Sequence, residues 1–454
     1  MLDLAKENFD LVIIGAGTAG CLAAFIAAQE GLGKIVLIDR KPKKLIGKKI
    51  CGDGIGTKHL EFLQEIGFPI KENDILTNII KTARIISPDK KKEYTLPVQG
   101  QLAIINRHQF GQTILEETLN QGVKLFANTT FKSLKREGNN LEIHLVKDGT
   151  EAITVSAPLI IDGSGINSKI REEFGGFEEA AQLKDEEQYY CYREVCKIEA
   201  APEMFVDSAV FEFSFDLTKG GYKWFFSRGN NEYNMGTGIP KSWIKKTSPK
   251  DIYQSDMKNR FAEIELIDGG GGFVPTRHPI PSHVKNNIIL TGDAGLIVNP
   301  LHGGGLSPSL ASGYIAGKIA AAQVPNEQIT EGDLWIFNKK IHERYGLRYS
   351  ILDLYRILLQ NIPDEELNDA LHKEYLPLGN LFYAREYEIL MKLTRKLGEI
   401  WKQLPNPRFN RLPDFIEKVY DCTNRYPQTP TELKSWSQEY RDIYAKYYSL
   451  IAMK

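Results

Sequence analysis

The stretch FDLVIIGAGTAGCLAAFIAAQEGLGKIVLIDR, which occupies residues 9–40, decides the fold of this chain. Its first apolar run, residues 9–14, gives way to small and apolar residues over 18–29, and a second apolar run follows over 34–38. Short apolar runs bounded by glycine are typical of buried strands, and the longer small-residue segment favours a helix. The order strand, helix, strand is the first unit of an α/β fold with a parallel sheet.

The turn between the first strand and the helix has the spacing G-x-G-x-x-G, and the second strand ends on Asp39. Gly15 suits a tight turn, Gly17 lets the backbone approach a diphosphate, and Gly20 lets the helix pack on the strand. The free N–H groups of the helix N-terminus attract the diphosphate, and the Asp39 carboxylate suits ribose hydroxyls. The pattern predicts a dinucleotide site and leaves both NAD and FAD open.

The overall composition is that of an ordinary globular protein. The chain has 454 residues, 42% hydrophobic and 25% charged, enough to build two or three domains. Its formal charge of −1 provides no overall field for nucleic acid, which we do not expect as a partner. The five cysteines form neither a disulfide framework nor a zinc spacing, so we expect no metal and a reducing, cytoplasmic setting. No apolar run reaches the roughly 18 residues of a membrane-spanning helix.

The periodicity of the sequence changes along the chain and divides it into domains. From about residue 187 to 238 polar and apolar residues alternate, which predicts an antiparallel sheet, and DGGGGF at 268–273 is predicted to be a turn. The fold class is therefore α/β, a Rossmann-like dinucleotide-binding domain with an inserted antiparallel sheet and a C-terminal helical region. The predicted boundaries are 1–84, 103–183 and 275–325 for the discontinuous dinucleotide-binding domain, 85–102 and 184–274 for the substrate-binding sheet, and 326–454 for the helices.

Two later segments resemble motifs of flavin enzymes that have the glutathione-reductase type of FAD domain. DGSGINSKIR at 162–171 is similar to D-G-x-x-S-x-x-R with two more residues before the serine, and TGDAGLIVNPLHGGG at 291–305 is similar to G-D-A-x-x-x-x-P with one more residue before the proline. The resemblance implies that the cofactor is FAD, that Asp293 binds its ribityl chain, and that the following loop runs under the flavin ring. The further residues implied to contact FAD are Arg107, Asp162, Gly163, Gly292, Pro300, Gly303, Gly304 and Gly305.

The turn KKICGDGIG at 48–56 places a cysteine among glycines. Cys51 has no second ligand at a metal spacing, and the cysteine count is against a structural disulfide. Cys51 and Gly52 are therefore predicted to lie beside the cofactor. The loop before them is basic and is open to three interpretations, a solvated loop, a phosphate contact or an anionic membrane contact. Its cations are Arg40, Lys41, Lys43, Lys44, Lys48 and Lys49.

Five segments together resemble the geranylgeranyl reductase family, particularly its archaeal branch, over nearly the whole chain. They are CGDGI, YREV at 192–195, GGYKWFF at 220–226, VPTRHPIP at 274–281 and NPLHGGG at 299–305. The family motif Y-x-W-x-F-P is filled by Tyr222, Trp224 and Phe226, with Ser227 in place of the proline. On a strand these three aromatic side chains share one face. That face is either the core face of a sheet or the wall of a channel for an apolar polyprenyl chain.

The family resemblance implies FAD-dependent saturation of isoprenoid C=C bonds in geranylgeranyl chains, of geranylgeranyl diphosphate or of digeranylgeranyl glycerophospholipid. An isolated alkene needs a proton as well as a hydride, and Cys51, Tyr222 and His302 are the candidate catalytic residues. Arg277 and His278 are candidates for binding the polar head group. The electron donor, reduced ferredoxin or NAD(P)H, is undecided, and contact with the cytoplasmic face of a membrane is open.

Three other functions remain as alternatives at this level. They are a reductase of the polyprenyl tail of a quinone, an FAD-dependent aromatic or quinone monooxygenase, and a non-catalytic lipid-binding flavoprotein. The monooxygenase shares the FAD motifs and differs in consuming oxygen with its substrate. The flavoprotein carrier shares the fold and the aromatic face, but its reduced FAD would not be reoxidised by an isoprenoid.

Overall fold

Three β-sheets and a set of helices make up the molecule, seen in a computed structural model that describes residues 6–70, 75–174, 176–177, 181–376, 387–402 and 406–452. The strands are β1 (Glu7–Asn8), β2 (Leu11–Ile14), β3 (Ile35–Ile38), β4 (Gly54–Gly56), β5 (Leu76–Ile86), β6 (Glu93–Ile105), β7 (Lys124–Phe126), β8 (Thr129–Glu137), β9 (Asn140–Lys147), β10 (Glu151–Ala157), β11 (Leu159–Asp162), β12 (Gln188–Lys197), β13 (Ser208–Phe213), β14 (Tyr222–Gly229), β15 (Glu232–Pro240), β16 (Glu265–Pro275), β17 (Val284–Lys285) and β18 (Ile288–Leu290).

The α-helices of the described residues are α1 (Thr18–Gln29), α2 (Lys58–Glu65), α3 (Arg107–Asn120), α4 (Phe215–Thr218), α5 (Pro249–Ile252), α6 (Leu306–Gln323), α7 (Glu331–Ile341), α8 (Leu347–Leu359), α9 (Asp364–His372), α10 (Tyr387–Trp401), α11 (Pro407–Asn410), α12 (Leu412–Asn424) and α13 (Leu433–Ala452). Within the described part of the chain, no helix is long and apolar enough to span a bilayer. Residues 377–386 and 403–405 of the predicted helical region lie outside the described residues.

A six-stranded sheet carries the first strand, helix and strand unit and confirms the α/β prediction. Its order is β17-β18-β11-β2-β3-β7, and all its neighbours are parallel except β17 and β18. The strands β2, β3 and β11 are buried throughout, as parallel strands covered on both faces require. Since β2, β11 and β18 are neighbours, their carboxyl ends bring the segments at 15–20, 162–171 and 291–305 to one edge of the sheet.

The second large sheet has eight strands in the order β16-β12-β15-β14-β13-β5-β6-β4. The segments predicted to alternate between about 187 and 238 form four of its strands, β12 to β15, with turns at 219–220 and 230–231. All neighbours are antiparallel except β13 and β5. The predicted domain boundary at residue 84 falls inside β5, and we therefore propose that the substrate domain also includes the region of β4 and β5.

The prediction of a turn at DGGGGF is wrong, because residues 268–273 lie inside the edge strand β16, paired with β12. Side chains from other segments occupy the space over its glycines. A Cβ atom at Gly270 would lie 2.9 Å from the Ile50 side chain, and one at Gly271 would lie 2.6 Å from the Tyr190 hydroxyl. The glycines thus allow Ile50 and Tyr190 to approach the strand closely.

A smaller sheet, β1-β10-β9-β8, lies beside the parallel sheet, and the C-terminal helices share the main hydrophobic core. The aromatic strand residues Trp224 and Phe226 belong to that same core, together with Tyr355 of α8 and Tyr447 of α13. The antiparallel sheet and the helical region are therefore packed as one continuous core, which fixes the aromatic strand relative to the rest of the molecule.

Candidate active site

The glycine turn after β2 is packed against the end of β11 more closely than any side chain would allow. A Cβ at Gly15 would lie 2.4 Å from the Gly163 carbonyl oxygen, and one at Gly20 would lie 1.9 Å from the Gly15 carbonyl oxygen. Gly15 also has a φ of +98°, which favours glycine. At Gly17 only the Gly163 carbonyl oxygen lies within 4.0 Å of such a Cβ, so its backbone is open for close approach. The turn has the shape that a diphosphate needs.

Asp39 lies at the end of β3 and holds the glycine turn in place. Its Oδ2 accepts a hydrogen bond from the Ala16 N–H at 2.9 Å, and its Oδ1 accepts one from the Lys41 N–H at 2.8 Å. Each carboxylate oxygen can accept a further bond. The carboxylate is thus suited to the predicted ribose contact while it also fixes the turn.

Arg107 is the first residue of α3 and lies buried beside the N-terminus of α1. Its Nη2 donates a hydrogen bond to Thr18 Oγ1 at 2.7 Å, whereas its buried Nη1 has no hydrogen-bond partner among the described residues. Buried guanidinium donors are rarely left without an acceptor. A bound anionic group beside α1 would supply it, in agreement with the predicted contact between Arg107 and FAD.

The DGSGINSKIR segment serves mainly to fix the backbone of its neighbours. The Asp162 carboxylate is fully buried and accepts from the Ser164 N–H at 2.8 Å and from the Ser168 hydroxyl. Arg171, also buried, donates through Nη1 to the Ala294 carbonyl at 3.0 Å. The motif therefore connects the turn after β11 to the G-D-A turn after β18.

The G-D-A turn places Asp293 at the N-terminus of α6. A Cβ at Gly305 would lie 3.0 Å from Asp293 Oδ1, so a larger residue where the helix begins would push against this carboxylate. A Cβ at Gly292 would lie 2.9 Å from the Ser309 hydroxyl, and Gly292 has a φ of +53°. Lys49 forms an ion pair with Asp293, a contact that sequence reasoning missed because the two residues are far apart in the chain.

The loop 299–304 is ordered by Asn299, whose Oδ1 accepts from the N–H groups of Leu301 and His302 at 3.0 and 3.3 Å. Pro300 is buried within this loop, and Gly303 has a φ of +69°. The Gly304 N–H donates to His302 Nδ1 at 3.2 Å. Burial lowers the pKa of His302 to about 4, and the positive charge of Arg348 acts in the same direction. The imidazole is therefore neutral at pH 7, with Nδ1 as an acceptor.

The Cys51 turn is fixed by a buried polar network. Asp53 has a φ of +63°, and its Oδ2 accepts from Arg228 Nη1 at 2.9 Å and from Asn234 Nδ2 at 2.8 Å. The same Asn234 amide group donates to the Cys51 carbonyl at 2.8 Å. Burial raises the pKa of the Cys51 thiol, and the Asp53 charge adds to this effect. The thiol consequently keeps its proton at neutral pH.

Tyr222, Trp224 and Phe226 lie on one face of β14, as predicted. The ring centroids of Tyr222 and Trp224 are 6.0 Å apart, and those of Trp224 and Phe226 are 6.4 Å apart. The Tyr222 hydroxyl donates to the His302 carbonyl at 2.6 Å, and a Cβ at Gly52 would lie 2.9 Å from the Phe226 ring. The structure thus brings the aromatic row, the Cys51 turn and the 299–305 loop together.

Arg277 and His278 lie elsewhere, in a buried network between the sheet and the helices. Arg277 donates to the Gln182 carbonyl at 2.8 Å and to Glu187 at 3.1 Å. His278 Nδ1 lies 2.8 Å from Asp353 of α8. Because both side chains are buried and bonded to protein groups, the structure does not support the expectation that they bind a head group. They connect domains instead.

The residues at the edge of the parallel sheet fit FAD. The cradle formed by Gly15, Gly20 and Gly163 has no room for side chains, and the unpartnered Arg107 Nη1 calls for an anionic group. The α6 N-terminus beside Asp293 adds the free N–H groups of a helix start. Among the described residues, no group of three or more His, Cys, Asp or Glu side chains is arranged to hold a metal ion. All five cysteines are free thiols.

Comparisons with known proteins agree with this geometry. Residues 10–167 match the family model described as FAD dependent oxidoreductase, and residues 188–274 match the geranylgeranyl reductase catalytic domain. The digeranylgeranylglycerophospholipid reductase of Sulfolobus acidocaldarius is 28% identical over 461 residues, covering 98% of this chain and 99% of the relative. The digeranylgeranylglycerophospholipid reductase 1 of Methanococcoides burtonii is 26% identical over 426 residues, which cover 90% of this chain and 99% of the relative.

Solved structures show the same fold at lower identity. A geranylgeranyl bacteriochlorophyll reductase-like protein from Thermoplasma acidophilum matches with a TM-score of 0.75 at 18% identity, covering 91% of this chain and 100% of that protein. The myxobacterial chondrochloren halogenase, an FAD-dependent halogenase, matches with a TM-score of 0.64 at 14% identity and covers 98% of both chains.

The fold and the site together define an FAD-dependent oxidoreductase. The segment that matches the geranylgeranyl reductase catalytic domain forms strands β12 to β16 of the eight-stranded sheet. Residues 188–274 are similar to the geranylgeranyl reductase catalytic domain, and the chain is similar over nearly its whole length to digeranylgeranylglycerophospholipid reductases.

Proposed function

We propose that this enzyme saturates C=C bonds in the geranylgeranyl chains of digeranylgeranyl glycerophospholipid. The observation that carries the proposal is the contact of the Cys51 turn with the aromatic row of β14, beside the FAD-binding loops. The relatives named as reductases of this lipid cover the whole catalytic unit, including both matched domains. Geranylgeranyl diphosphate and the polyprenyl tail of a quinone are alternative substrates of the same reaction.

The aromatic row suits a polyprenyl chain. Such a chain carries no charge along its length, so apolar and aromatic side chains with few polar groups must hold it. Phe211 of β13 extends the row, with ring centroids 5.4 Å from Tyr222 and 5.2 Å from Phe226. Both polar atoms of the row donate hydrogen bonds to protein groups, the Tyr222 hydroxyl to the His302 carbonyl and the Trp224 Nε1 to Asn234 Oδ1. The wall is therefore apolar toward a ligand.

When bound and reduced, FAD supplies the hydride. The chain itself must hold the alkene, exclude water and provide a proton to the other carbon. His302 is neutral at pH 7, so it has no imidazolium proton to give, and the Tyr222 hydroxyl is bonded to the His302 carbonyl. The Cys51 thiol keeps its proton at neutral pH and accepts a bond from the Asp53 N–H at 3.3 Å. We propose the Cys51 thiol as the proton donor.

We also propose that the enzyme contacts a membrane through the basic loop and the β16 edge. Lys43, Lys44 and Leu45 are exposed at the tip of this loop. Lys48 connects the loop to Asp268 of β16, where Ile267 of that strand has half of its surface exposed. Exposed apolar side chains beside lysines are typical of surfaces that bind anionic lipid.

Sedimentation with vesicles tests the membrane contact. We expect binding to vesicles of phosphatidylglycerol and phosphatidylcholine, and none to phosphatidylcholine alone. The variant Lys43→Glu with Lys44→Glu should weaken binding at least about tenfold, since each lysine contributes about 1 kcal/mol near such a surface. The matched control reverses two exposed lysines of the other domain, Lys245→Glu with Lys246→Glu, and should bind normally. Equal binding by both double variants would refute the assignment of this surface.

Anaerobic flavin reoxidation tests the reductase function. The bound FAD is reduced with dithionite under argon, and the excess dithionite is removed. Digeranylgeranyl glycerophospholipid is then added. We expect the oxidised flavin spectrum to return with the lipid and not with its fully saturated analogue. A flavin that stays reduced would contradict a catalytic role, and a requirement for oxygen would indicate a monooxygenase. Adding reduced ferredoxin or NAD(P)H to the oxidised enzyme then distinguishes these two proposed electron donors.

A further inference from the structure

Asn234 of β15 connects the two parts of the site that approach the substrate. Its side chain is fully buried, in the middle of the eight-stranded sheet. The carboxamide Oδ1 accepts from the Trp224 indole Nε1 at 2.9 Å, and Nδ2 donates to the Cys51 carbonyl and to Asp53 Oδ2, each at 2.8 Å. We propose that Asn234 is a positioning residue, which fixes the Cys51 turn against the Trp224 wall and so aligns the proton donor with the bound chain.

The amide is suited to this task because both of its polar atoms are used. A carboxamide offers one oxygen acceptor and two N–H donors. Here the oxygen accepts from the Trp224 indole, while the nitrogen donates to the Cys51 carbonyl and to the Asp53 carboxylate of the turn. No hydrophobic residue of similar size could replace it, since Trp224 Nε1 and the Cys51 carbonyl would lose their partners in a buried place. Such losses are costly because the unpaired groups remain dehydrated.

The turn needs this support because its backbone is in an uncommon conformation. Asp53 has a φ of +63°, in the left-handed region that residues other than glycine seldom adopt. Its carboxylate is fixed by Asn234 and Arg228, and its carbonyl accepts from the Ile105 N–H at 3.0 Å. Strained turns persist where surrounding contacts determine them. Asn234 is hydrogen-bonded both to this turn and to Trp224 of the aromatic row.

The turn and the row also touch directly, so a change in one affects the other. A Cβ at Gly52 would lie 2.9 Å from the Phe226 ring and 3.8 Å from Trp224 Nε1. If the Asn234 amide were lost, the turn could move away from the row and the indole could rotate. The effect on turnover rests on the proposed function, whereas the effect on the position of Cys51 does not.

Thiol labelling of the FAD-loaded enzyme tests the position of Cys51 without any turnover. We compare alkylation rates of Cys51 by peptide mass spectrometry in wild type, Asn234→Ala and the control Asn259→Ala, which removes an exposed amide of the same domain. In Asn234→Ala, Cys51 should react about tenfold faster or more, because a freed turn exposes the thiol. Cys422, buried in α12, should stay unreactive and so reports that the fold is intact.

The variant Asn234→Asp makes a second test, in which the fold is retained and the turn contacts depend on pH. Aspartate still accepts from Trp224 Nε1, but when ionised it cannot donate to Cys51 and it repels Asp53. Once protonated it regains a donor. The charged or titratable groups that act on the turn beside this position are its own Asp53 and Cys51, Lys49 before it, Cys191 and Arg193 on β12, Arg228 on β14 and Arg107 on α3.

For Asn234→Asp we expect kcat, relative to wild type at the same pH, to fall about tenfold or more at pH 8. The ratio of the kcat of Asn234→Asp to that of wild type should rise again toward pH 5.5. The KM for the lipid and the FAD content of the variant should change little. Asn234→Ala should show no recovery. A wild-type labelling rate of Cys51 in Asn234→Ala, or a ratio for Asn234→Asp that does not change with pH, would overturn the proposal. If wild type itself turns over no isoprenoid, the proposed function fails, and the labelling rates still decide the role of Asn234.

Discussion

At the scale of the residue, Arg107 is the side chain for which a contact with FAD is most directly expected. It is buried, one of its terminal nitrogens donates a hydrogen bond to Thr18, and the other has no acceptor in the part of the chain that the structure describes. We expect Arg107→Ala to raise the dissociation constant of FAD about 10-fold to 100-fold, because a hydrogen bond between charged groups contributes about 1.5 to 3 kcal/mol. Flavin fluorescence during titration of the FAD-free protein measures this.

The control for this measurement is Arg411→Ala, which removes an exposed arginine paired only with Asp414 among the described residues. Its affinity for FAD should equal that of wild type. Equal affinities for all three proteins would show that Arg107 is a structural arginine and that its unpartnered nitrogen does not face the cofactor.

Cys51 carries the second prediction at this scale. Cys51→Ser replaces the thiol with a much weaker acid, so kcat should fall about 100-fold or more if the thiol gives its proton to the alkene. The FAD spectrum should not change. The neighbouring Cys191, whose pKa burial raises to about 12, supplies the matched control Cys191→Ser. If Cys51→Ser kept full turnover, the thiol would not be the proton donor and Cys51 would contribute only packing.

The sequence indicated the reacting residues better than the residues that hold them. Cys51, Trp224 and the glycines of the first turn were found because each belongs to a local pattern. Asn234 and Arg228 were missed, since an isolated polar residue on an alternating strand is usually solvent-exposed. Their partners in the Cys51 turn lie 183 and 175 residues away in the chain. The pairing of β14 with β15 places Asn234 opposite Phe226, and the tertiary fold brings the Cys51 turn to these two strands.

At the scale of the element, the packing of α6 on α1 determines where the α6 N-terminus lies. A Cβ at Gly313 would lie 2.4 Å from the Ala19 carbonyl oxygen, and one at Gly317 would lie 2.5 Å from the Ala23 carbonyl oxygen. The two helices are therefore in backbone contact. Because α6 begins beside Asp293, a change in its spacing from α1 also moves the loop that is predicted to contact the flavin.

We therefore expect Gly313→Ala to destabilise the protein by about 1 to 3 kcal/mol and also to weaken FAD binding, because the added methyl group separates the helices. Thermal melts and FAD titration measure the two effects. Gly332→Ala is the matched control, since its Cβ would lie 3.5 Å from the nearest group, the Thr330 hydroxyl. A Gly313→Ala variant as stable as wild type would mean that the helices can move apart without cost.

The element boundaries were predicted well wherever periodicity was strong. The helix expected over 18–29 is Thr18–Gln29, and the strand containing the aromatic row is Tyr222–Gly229. The failure at 268–273 has a physical cause. Four glycines in a row normally favour a turn, but here Ile50 and Tyr190 fill the space over the strand, and that packing is invisible in the local sequence.

At the scale of the whole molecule, buried histidines make stability depend on pH. Burial lowers the pKa of His283 to about 3 and the pKa values of His302 and His342 to about 4. Burial and Arg277 lower the pKa of His278 as well. In each case the unfolded chain binds a proton near pH 6.5 that the folded protein does not, so stability is fully present above that pH and is lost below it.

We expect the free energy of unfolding to fall as the pH decreases from about 6.5 to 5, by up to about 1.4 kcal/mol per pH unit for each histidine. Urea denaturation across this range measures the slope. His342→Gln should make the slope shallower, because one titrating group is removed. A stability that stays constant down to pH 5 would contradict the burial of these rings.

The arrangement of whole domains was only partly accessible to sequence. The discontinuous cofactor domain follows from the return of a strand, loop and helix after residue 275. Strand β5 joins the eight-stranded sheet through its parallel pairing with β13, which lies more than a hundred residues later in the chain. The local sequence around β5 does not show this pairing. Arg277 and His278 looked like free cations because their partners, Glu187 and Asp353, belong to other segments of the chain.

The most direct measurement of the central claim is anaerobic turnover in heavy water, followed by mass spectrometry of the lipid. Dithionite-reduced enzyme is incubated under argon with digeranylgeranyl glycerophospholipid. We predict the addition of two deuterium atoms for every double bond that reacts, because the dithionite-reduced flavin and the thiol both take their hydrogen from the solvent. Lipid recovered with all its double bonds, while the bound flavin remains reduced, would contradict the account.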